Sequence, residues 1–160
     1  MTGVSWDIPT ADDFDFLAQH VRPEDEREVV LISRKPFRQS VAISCRMSRS
    51  CGVARNEDGE AYAIFGVQPT IFGPRHGSPW MMCSNLVDAC PVKFYKQSSR
   101  AFKLFSAGYD SLENCVWAGN VRSIRWLEFL GFEISDRYLF VNGEKFHRFH
   151  WERSPCASQQ

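Results

Sequence analysis

The segment from Glu113 to Phe132 constrains the fold of this chain more than any other part of the sequence. Its first part, Asn114–Ala118, is short, apolar and rich in β-forming residues, which is typical of a buried strand. Gly119 and Asn120 then break the strand, and asparagine is a good N-terminal cap for a helix. Apolar residues recur at helical spacing over 121–130. The segment therefore predicts a strand that leads directly into a capped helix.

Gly131 and Phe132 indicate where this helix ends. A glycine just after the last apolar position is typical of a helix C-terminus, and the following run over 132–141 is rich in β-forming residues. Together the strand, the helix and the next strand predict one βαβ-type unit.

The rest of the chain predicts helices and strands in a mixed order. Thr10 caps a first helix, Pro23 begins a second at a position where its missing N–H costs nothing, and 36–47 predicts a third. The other predicted elements are strands at 51–55, 60–67 and 80–87, a loop at 68–79, a helix at 90–107, and strands at 132–141 and 145–151 around the hairpin signal Asn142-Gly143. This order predicts an α/β fold, a twisted mixed sheet with helices on both faces.

Length and charge limit the class of protein. A chain of 160 residues with 44% apolar residues suits one domain, here predicted over 1–151, and the polar tail 152–160 is predicted to be disordered. The 19 basic and 19 acidic side chains balance, which does not favour nucleic acid as a partner. No apolar run reaches the about 20 residues of a membrane helix, and the N-terminus lacks signal-peptide regions.

Cysteine and histidine do not predict a metal site. No two of the six cysteines have Cys-x-x-Cys spacing, so we expect free thiols in a reduced cytosolic protein. His147 and His150 lie on a predicted strand, where this spacing points them to opposite faces. We therefore expect no metal cofactor.

Two features of the organising segment carry a family resemblance. The pattern Asn120-x-x-Ser123, followed after seven residues by Gly131-Phe132, resembles the segment that closes the acyl-CoA site of GNAT (Gcn5-related) N-acetyltransferases. The lead-in Val-Trp-Ala-Gly-Asn and the order of elements resemble the gene-13-type internal-core assembly proteins of short-tailed phages and their GNAT-like relatives. Both resemblances imply a GNAT-like single domain with one splayed central pair of parallel strands.

The resemblance also implies where acetyl-CoA would bind. Its pantetheine would lie between the strands at 80–87 and 114–118, along the strand edge at Cys83, Asn85 and Val87. Its diphosphate would lie on the amides of about 92–96, at the N-terminus of the next helix, beside Lys93 and Lys96. Asn120 and Arg122, at the start of the helix after the second strand, complete the predicted cofactor-binding residues; capping alone for Asn120 and solvation for Arg122 are the alternatives.

The sequence departs from the GNAT pattern at two chemically demanding places. The family's glycine-rich loop is replaced by the glycine-free run 84–93, in which Asp88 adds a negative charge near the expected phosphates. The position of the tyrosine that commonly protonates the thiolate is Leu127, which cannot act as an acid. No catalytic residue is predicted, and these departures weaken the case for catalysis.

One helical face is basic. Lys93, Lys96, Arg100 and Lys103 recur at spacings that place them on one side of the helix. They could bind phosphate groups of CoA or of nucleic acid, or form a solvated face opposite the aromatic stripe.

Two functional hypotheses follow. The first is a phage protein of virion morphogenesis, located in the host cytoplasm or the virion, that contacts virion core proteins for internal-core assembly and genome ejection. The second is an acetyl-CoA-dependent N-acetyltransferase acting on an unknown amine or a protein lysine; a DNA-binding module ranks third. An enzyme requires an open cleft, whereas an assembly protein could fill that cleft with Met82, Trp117 or Trp126 and expose an apolar patch.

Overall fold

The computed structural model describes residues 6–155. These form one six-stranded mixed sheet in the order β1-β2-β3-β4-β6-β5, in which β3 and β4 form the parallel neighbouring pair. The elements are α1 (Ala11–His20), α2 (Pro23–Ser33), α3 (Phe37–Met47), β1 (Ser50–Arg55), β2 (Ala61–Pro69), β3 (His76–Cys83), α4 (Pro91–Phe105), β4 (Ser111–Trp117), α5 (Val121–Leu130), β5 (Glu133–Val141) and β6 (Glu144–Glu152), with 3₁₀ turns at Asn85–Ala89 and Ser106–Gly108. The predicted α/β class with a splayed parallel pair is confirmed.

Helices cover both faces of the sheet. On one face α1, α2 and α3 bury Leu17, Val29 and Phe37 against Val53 and Ile64 of the sheet. On the other face, α4 and α5 pack on a second cluster that contains Val67, Leu112, Val116, Leu127, Phe132 and Phe149. Burying each such side chain contributes about 1.5–3 kcal/mol, so the two clusters hold the helices on the sheet.

Local signals predicted the element ends well. Thr10 accepts the Asp13 N–H, and Asp13 accepts the Thr10 N–H, which forms a capping box at α1. Gly131 ends α5 at φ 99°, and Asn142 and Gly143 form the β5–β6 hairpin with φ of 51° and 83°. Positive φ at both turn residues is what a two-residue hairpin requires, and Asn-Gly accepts it at low cost.

The central strand lies earlier in the chain than predicted. The prediction of a strand at 80–87 and a loop at 68–79 is wrong, because β3 is His76–Cys83 and the chain turns into a 3₁₀ helix at Asn85. Pro79 misled the prediction, since proline usually breaks a ladder. Here its nitrogen faces away from β2, so no ladder hydrogen bond is lost.

Two further predictions need correction. Strands β4 and β5 run parallel, as the predicted βαβ-type unit requires, but they are not neighbours in the sheet. Strand β6 lies between them and pairs antiparallel with both. Cys45 and Cys51 are not free thiols: they form a disulfide between the end of α3 and the start of β1, with Cα atoms 5.5 Å apart.

The predicted tail begins inside the sheet. Glu152 is the last residue of β6, and the Arg153 guanidinium donates to main-chain oxygens of Ser106, Ala107 and Tyr109. Residues 156–160, the rest of the predicted tail, lie outside the described residues.

Candidate functional site

The parallel strands β3 and β4 separate soon after they meet. They pair only at His76–Ser111 and Gly77–Leu112, and beyond these pairs a gap opens toward their C-terminal ends. Gly77 permits the close approach, because a Cβ there would lie 2.3 Å from a methyl of Val67 and 2.9 Å from the Tyr109 ring. The splay that the GNAT resemblance implied is therefore present in the sheet.

The β3 edge of this gap presents main-chain polar groups. Pro79 lies opposite Val67, whose carbonyl accepts from the Arg49 N–H on the far side of β2, so this pair is not hydrogen-bonded across the ladder. The Pro79 carbonyl instead accepts from the Asn114 side chain across the gap, at 2.9 Å. Because directions alternate along a strand, Met81 and Cys83 also direct their N–H and C=O groups into the gap.

The β4 edge, by contrast, is covered by side chains. Asn114 Oδ1 accepts the Cys115 N–H at 2.8 Å, and Glu28 Oε2 accepts the Trp117 N–H at 3.1 Å. The odd-numbered residues of β4 face the gap, since Ala118 bonds to Lys145 of the opposite strand. The Glu28 carboxylate therefore lies in the gap itself.

Helix α2 crosses the wide end of the gap. An antiparallel bridge joins Val21, just before α2, to Ser84 at the end of β3. One turn into the helix, Glu28 contacts the end of β4. This helix therefore supplies the polar side chains of the wide end, Asp25 and Glu28.

A cavity of about 1380 Å³ runs through the gap from one face of the sheet to the other. Its lining includes Asp25 and Glu28 from α2, Met81 and Met82 from β3, Asn114 and Cys115 from β4, Phe94 and Ser98 from α4, and Trp126 from α5. Met82 and Trp126 thus line the cleft without filling it, and the Trp117 ring instead contacts Arg27 at 4.7 Å. The cleft is open, as the enzyme hypothesis requires.

The N-terminus of α4 adjoins this cavity and is suited to an anion. No side chain caps it, Pro91 has no N–H, and the first intrahelical bond is from Phe94 to Cys90, so the amides of Val92 and Lys93 have no helical acceptor. Lys93, Lys96 and Arg100 line a shallow groove here, and none of them forms an ion pair within residues 6–155.

A buried hydroxyl without a partner lies close to the same helix end. Tyr62 Oη lines the cavity and has no hydrogen-bond partner among the described residues. Burial, with the Cys83 and Cys90 thiols nearby, raises the pKa of Tyr62 to about 12, so it remains a donor at neutral pH. A buried donor of this kind is costly unless a ligand or water accepts from it.

Asp88 and Arg122 neutralise each other beside this site. Arg122 Nη1 lies 2.7 Å from Asp88 Oδ1, and a longer contact of 4.0 Å joins Arg122 to Glu24. The negative charge expected from Asp88 is therefore paired. Contact between Arg122 and a cofactor, as predicted from the sequence, would require this pair to open.

Asn120 serves a buried network. Its Oδ1 accepts the Ser123 N–H and so caps α5, while its Nδ2 donates to Asp25 Oδ1 and to Glu28 Oε2, both at 3.0 Å. Its side chain is 2% exposed. All of its polar atoms are thus satisfied by protein, which favours the capping alternative over a direct contact with a ligand.

Glu28 is the titratable group most changed by this environment. Burial raises its pKa to about 7, an effect to which Asp25 adds and which hydrogen bonds from Asn120 and Trp117, together with the Arg22 charge, partly offset. A cleft carboxyl that titrates near neutral pH is a candidate for proton transfer. Sequence reasoning missed Glu28 because it belongs to an acidic run that the helix dipole alone would explain.

The predicted strand-edge residues are corrected in part. Cys83 is the last residue of β3, and its main chain, not its buried side chain, faces the gap. Asn85 and Val87 lie beyond the strand in the 3₁₀ turn, where Asn85 is exposed and Val87 packs near Phe94. The edge positions are therefore Pro79, Met81 and Cys83, a shift that follows from the earlier start of β3.

No acid replaces the missing tyrosine on α5. Leu127 is buried in the cluster with Phe132 and Phe149. The Cys115 thiol lines the cavity, and burial raises its pKa, so it stays protonated at neutral pH. His147 and His150 have separate partners, Ser135 and Glu152, and no group of three His, Cys, Asp or Glu within residues 6–155 is placed to hold a metal ion.

Solved structures similar to this chain include acetyltransferases. Spermidine N-acetyltransferase from Vibrio cholerae, in complex with CoA and spermine, has a TM-score of 0.66 at 11% identity over 95% of this chain and 96% of that chain. The GNAT domain of S. lividans PAT has a TM-score of 0.62 at 15% identity over 90% and 87%. A Bacillus subtilis acetyltransferase in complex with CoA has a TM-score of 0.56 at 15% identity over 83% and 93%. No protein-family model and no curated protein sequence matches the chain.

These similarities establish the fold class. The chain has the single-domain GNAT fold, with its parallel pair at β3 and β4, as the resemblance implied. Nothing in the comparisons supports the resemblance to phage internal-core proteins. None of the helices in the described part of the chain is long and apolar enough to span a membrane.

Proposed function

We propose that this protein is an acetyl-CoA-dependent N-acetyltransferase that acts on a small amine or a lysine side chain. The observation that carries the proposal is the open gap between β3 and β4, whose β3 edge offers main-chain groups and which is continuous with the free N-terminus of α4. An extended, anionic cofactor needs both features, since a strand edge binds an extended chain and helix amides bind phosphate.

The residues present fit acetyl-CoA. Met81 and Cys83 would bind the pantetheine through their main chains, and the amides of Val92 and Lys93 would bind the diphosphate, with Lys96 supplying charge. Tyr62 Oη gives a buried donor that such a ligand could satisfy. The absence of glycines in the turn before α4 is compatible with this site because that turn forms a 3₁₀ helix that leaves the α4 amides free. When bound, the cofactor supplies an acyl carbon activated by its thioester.

The cavity also has room for an acceptor. Its volume exceeds the about 300–1,000 Å³ typical of a pocket for one small ligand. The wide end near α2 carries the Glu28 carboxyl group, which suits a cationic amine. The structural neighbour solved with spermine is a spermidine N-acetyltransferase, so a small amine is the first acceptor class to test.

Calorimetry with acetyl-CoA tests the cofactor site. Lys96→Glu places a negative charge in the groove at the α4 N-terminus, and we expect it to weaken binding about 10-fold or more, the value of a charge-assisted contact. Lys103→Glu is the matched control, because Lys103 lies on the same helix outside that groove and its reversal should leave the affinity unchanged. Absence of binding by the unaltered protein, or equal effects of the two variants, would refute the proposed site.

A second candidate function rests on the exposed apolar side chains of one edge strand. Tyr138, Leu139 and Phe140 are 48%, 40% and 68% exposed on β5, which is an edge strand of the sheet. Such a surface suits contacts with other proteins, as an assembly role with virion partners in the host cytoplasm would need. That role requires no acetyl-CoA, so the calorimetry separates the two candidates.

A further inference from the structure

Glu28 has one carboxylate oxygen fixed and one oxygen available. Oε2 accepts from Trp117 N–H at 3.1 Å and from Asn120 Nδ2 at 3.0 Å. Oε1 has no hydrogen-bond partner within residues 6–155, and the residue lines the cavity. The two donors thus hold the carboxylate in the gap while its second oxygen remains free to meet a ligand.

The neighbouring carboxylate is arranged differently. Asp25 Oδ2 accepts from Arg22 Nε at 2.7 Å, and Asp25 Oδ1 accepts from Asn120 at 3.0 Å. Both oxygens of Asp25 are therefore engaged, and its charge is balanced by Arg22. Of these two acidic residues at the wide end of the gap, only Glu28 retains an oxygen that can accept a proton from a substrate.

We propose that Glu28 is the general base of the transfer reaction and that its Oε1 takes the proton from the ammonium group of the acceptor. This inference rests on the proposed function, and it identifies the residue of the same site that deprotonates the acceptor amine. It also assigns the direction of approach, because the acceptor must reach the gap from the face covered by α2.

The chemistry balances with this assignment. Glu28 Oε1 removes one proton from R–NH₃⁺, and the freed nitrogen lone pair forms the C–N bond to the thioester carbonyl carbon. The C–S bond breaks and its electron pair leaves on sulfur. The proton that the amide nitrogen then loses ends on sulfur, giving R–NH–acetyl and a free thiol, and Glu28 returns its proton to water. No oxidant or metal is required.

The surroundings of Glu28 adjust its proton affinity to this task. Asp25 and Arg22 act on it from α2 and the residue before it, the Trp117 N–H from β4, and the neutral Asn120 from the start of α5. Burial dominates and raises the pKa of Glu28 to about 7. A base is most effective when its pKa lies near the working pH, so the group is suited to accept a proton under neutral conditions.

The first experiment measures the carboxyl without any reaction. In protein labelled with ¹³C-glutamate, the Glu28 side-chain carbon is identified by its loss in Glu28→Gln and titrated with and without butylammonium as an amine probe. For Glu28 we expect a midpoint near neutral pH and a shift on adding the amine, whereas the signal of the exposed Glu26 on the same helix should not respond to the amine. A Glu28 signal that ignores the amine would overturn the assignment.

The second experiment measures transfer from acetyl-CoA to spermidine and to a lysine peptide. Glu28→Gln should still bind acetyl-CoA but transfer the acetyl group at least about 100-fold more slowly at neutral pH, the usual contribution of a general base. The rate of the unaltered protein should rise with pH through neutral pH, and Glu28→Gln should lose this rise. Glu26→Gln should match the unaltered protein. If Glu28→Gln keeps the rise of rate through neutral pH, the role of Glu28 as base is refuted but the proposed function is not. If none of the three proteins binds acetyl-CoA, the proposed function itself is refuted.

Discussion

Glu28 and Trp117, 89 positions apart in the sequence, meet through a hydrogen bond of 3.1 Å from the Trp117 N–H to the Glu28 carboxylate. The contact satisfies a main-chain donor that faces a gap in the sheet, and it brings an ionisable group out of water. A main-chain N–H beside a splayed strand would otherwise need a ligand or water. The same contact therefore stabilises the strand edge and creates a carboxyl with unusual proton affinity.

This environment predicts an unusual pH dependence of stability. Burial raises the pKa of Glu28 to about 7, whereas the pKa of a glutamate in the unfolded chain is about 4.3. Between these two pH values the folded state therefore binds more protons than the unfolded state. The stability that Glu28 contributes is therefore fully present below about pH 4 and is lost as pH rises through about 7. Glu28→Gln should flatten this decline, gaining at most about 4 kcal/mol relative to the unaltered protein between about pH 4 and pH 8.

Denaturant unfolding of both proteins across this pH range measures the effect. Glu26→Gln is the control for the loss of one glutamate from the same helix, since the Glu26 side chain is exposed there. Parallel curves for the unaltered protein and Glu28→Gln would show that Glu28 titrates normally in the folded state.

Asn120 should matter for stability through two separable contributions. Asn120→Ala removes the α5 cap and leaves Asp25 and Glu28 each without one buried donor, so we expect a loss of about 2–4 kcal/mol in the free energy of unfolding. Asn120→Asp keeps an oxygen for the cap but places a third carboxylate beside the other two. It should destabilise the protein at least as much as alanine at about pH 8 and less at about pH 5.

Chemical denaturation at the two pH values separates these contributions. Asn85→Ala, at an exposed position, should change stability by less than about 0.5 kcal/mol. If Asn120→Asp were as stable as the unaltered protein at high pH, the capping bond alone would explain the residue and the buried network would carry little energy.

The features that the sequence predicted correctly depend on neighbours in the chain. The cap at Asn120, the stop at Gly131 and the turn at Asn142-Gly143 each need only a few adjacent residues, and each is present in the structure. The fold class followed from the order of such elements. The β3–β4 gap, by contrast, was expected in outline from the resemblance to the GNAT fold and not from such local signals.

The features that were missed depend on residues far apart in the chain. Pro79 could be placed in a strand only by knowing that its nitrogen faces a gap and not a neighbouring strand. Glu28 is one of several acids in a helix whose first turn favours them, and its meeting with Trp117 and Asn120 is not visible in the sequence. Its shifted pKa is a property of burial, which only the packed structure supplies.

The disulfide between Cys45 and Cys51 was likewise invisible, because the spacing of these residues matches no diagnostic motif. The chain reverses between α3 and β1, and this brings the two Cα atoms to 5.5 Å. Closing so short a loop lowers the entropy of the unfolded chain by an amount worth about 2 kcal/mol at 25 °C. We therefore expect the double variant Cys45→Ser, Cys51→Ser to be about 2 kcal/mol less stable than the oxidised protein.

Unfolding measured with and without a reductant isolates the disulfide from the loss of the two sulfur atoms. A reductant should lower the stability of the unaltered protein toward that of the double variant and leave the variant unchanged. Cys90→Ser is the matched control, because Cys90 is an exposed free thiol whose replacement should leave the response to reductant intact. An unaltered protein that unfolds identically in both conditions, with both thiols open to alkylation, would contradict the pairing of Cys45 with Cys51.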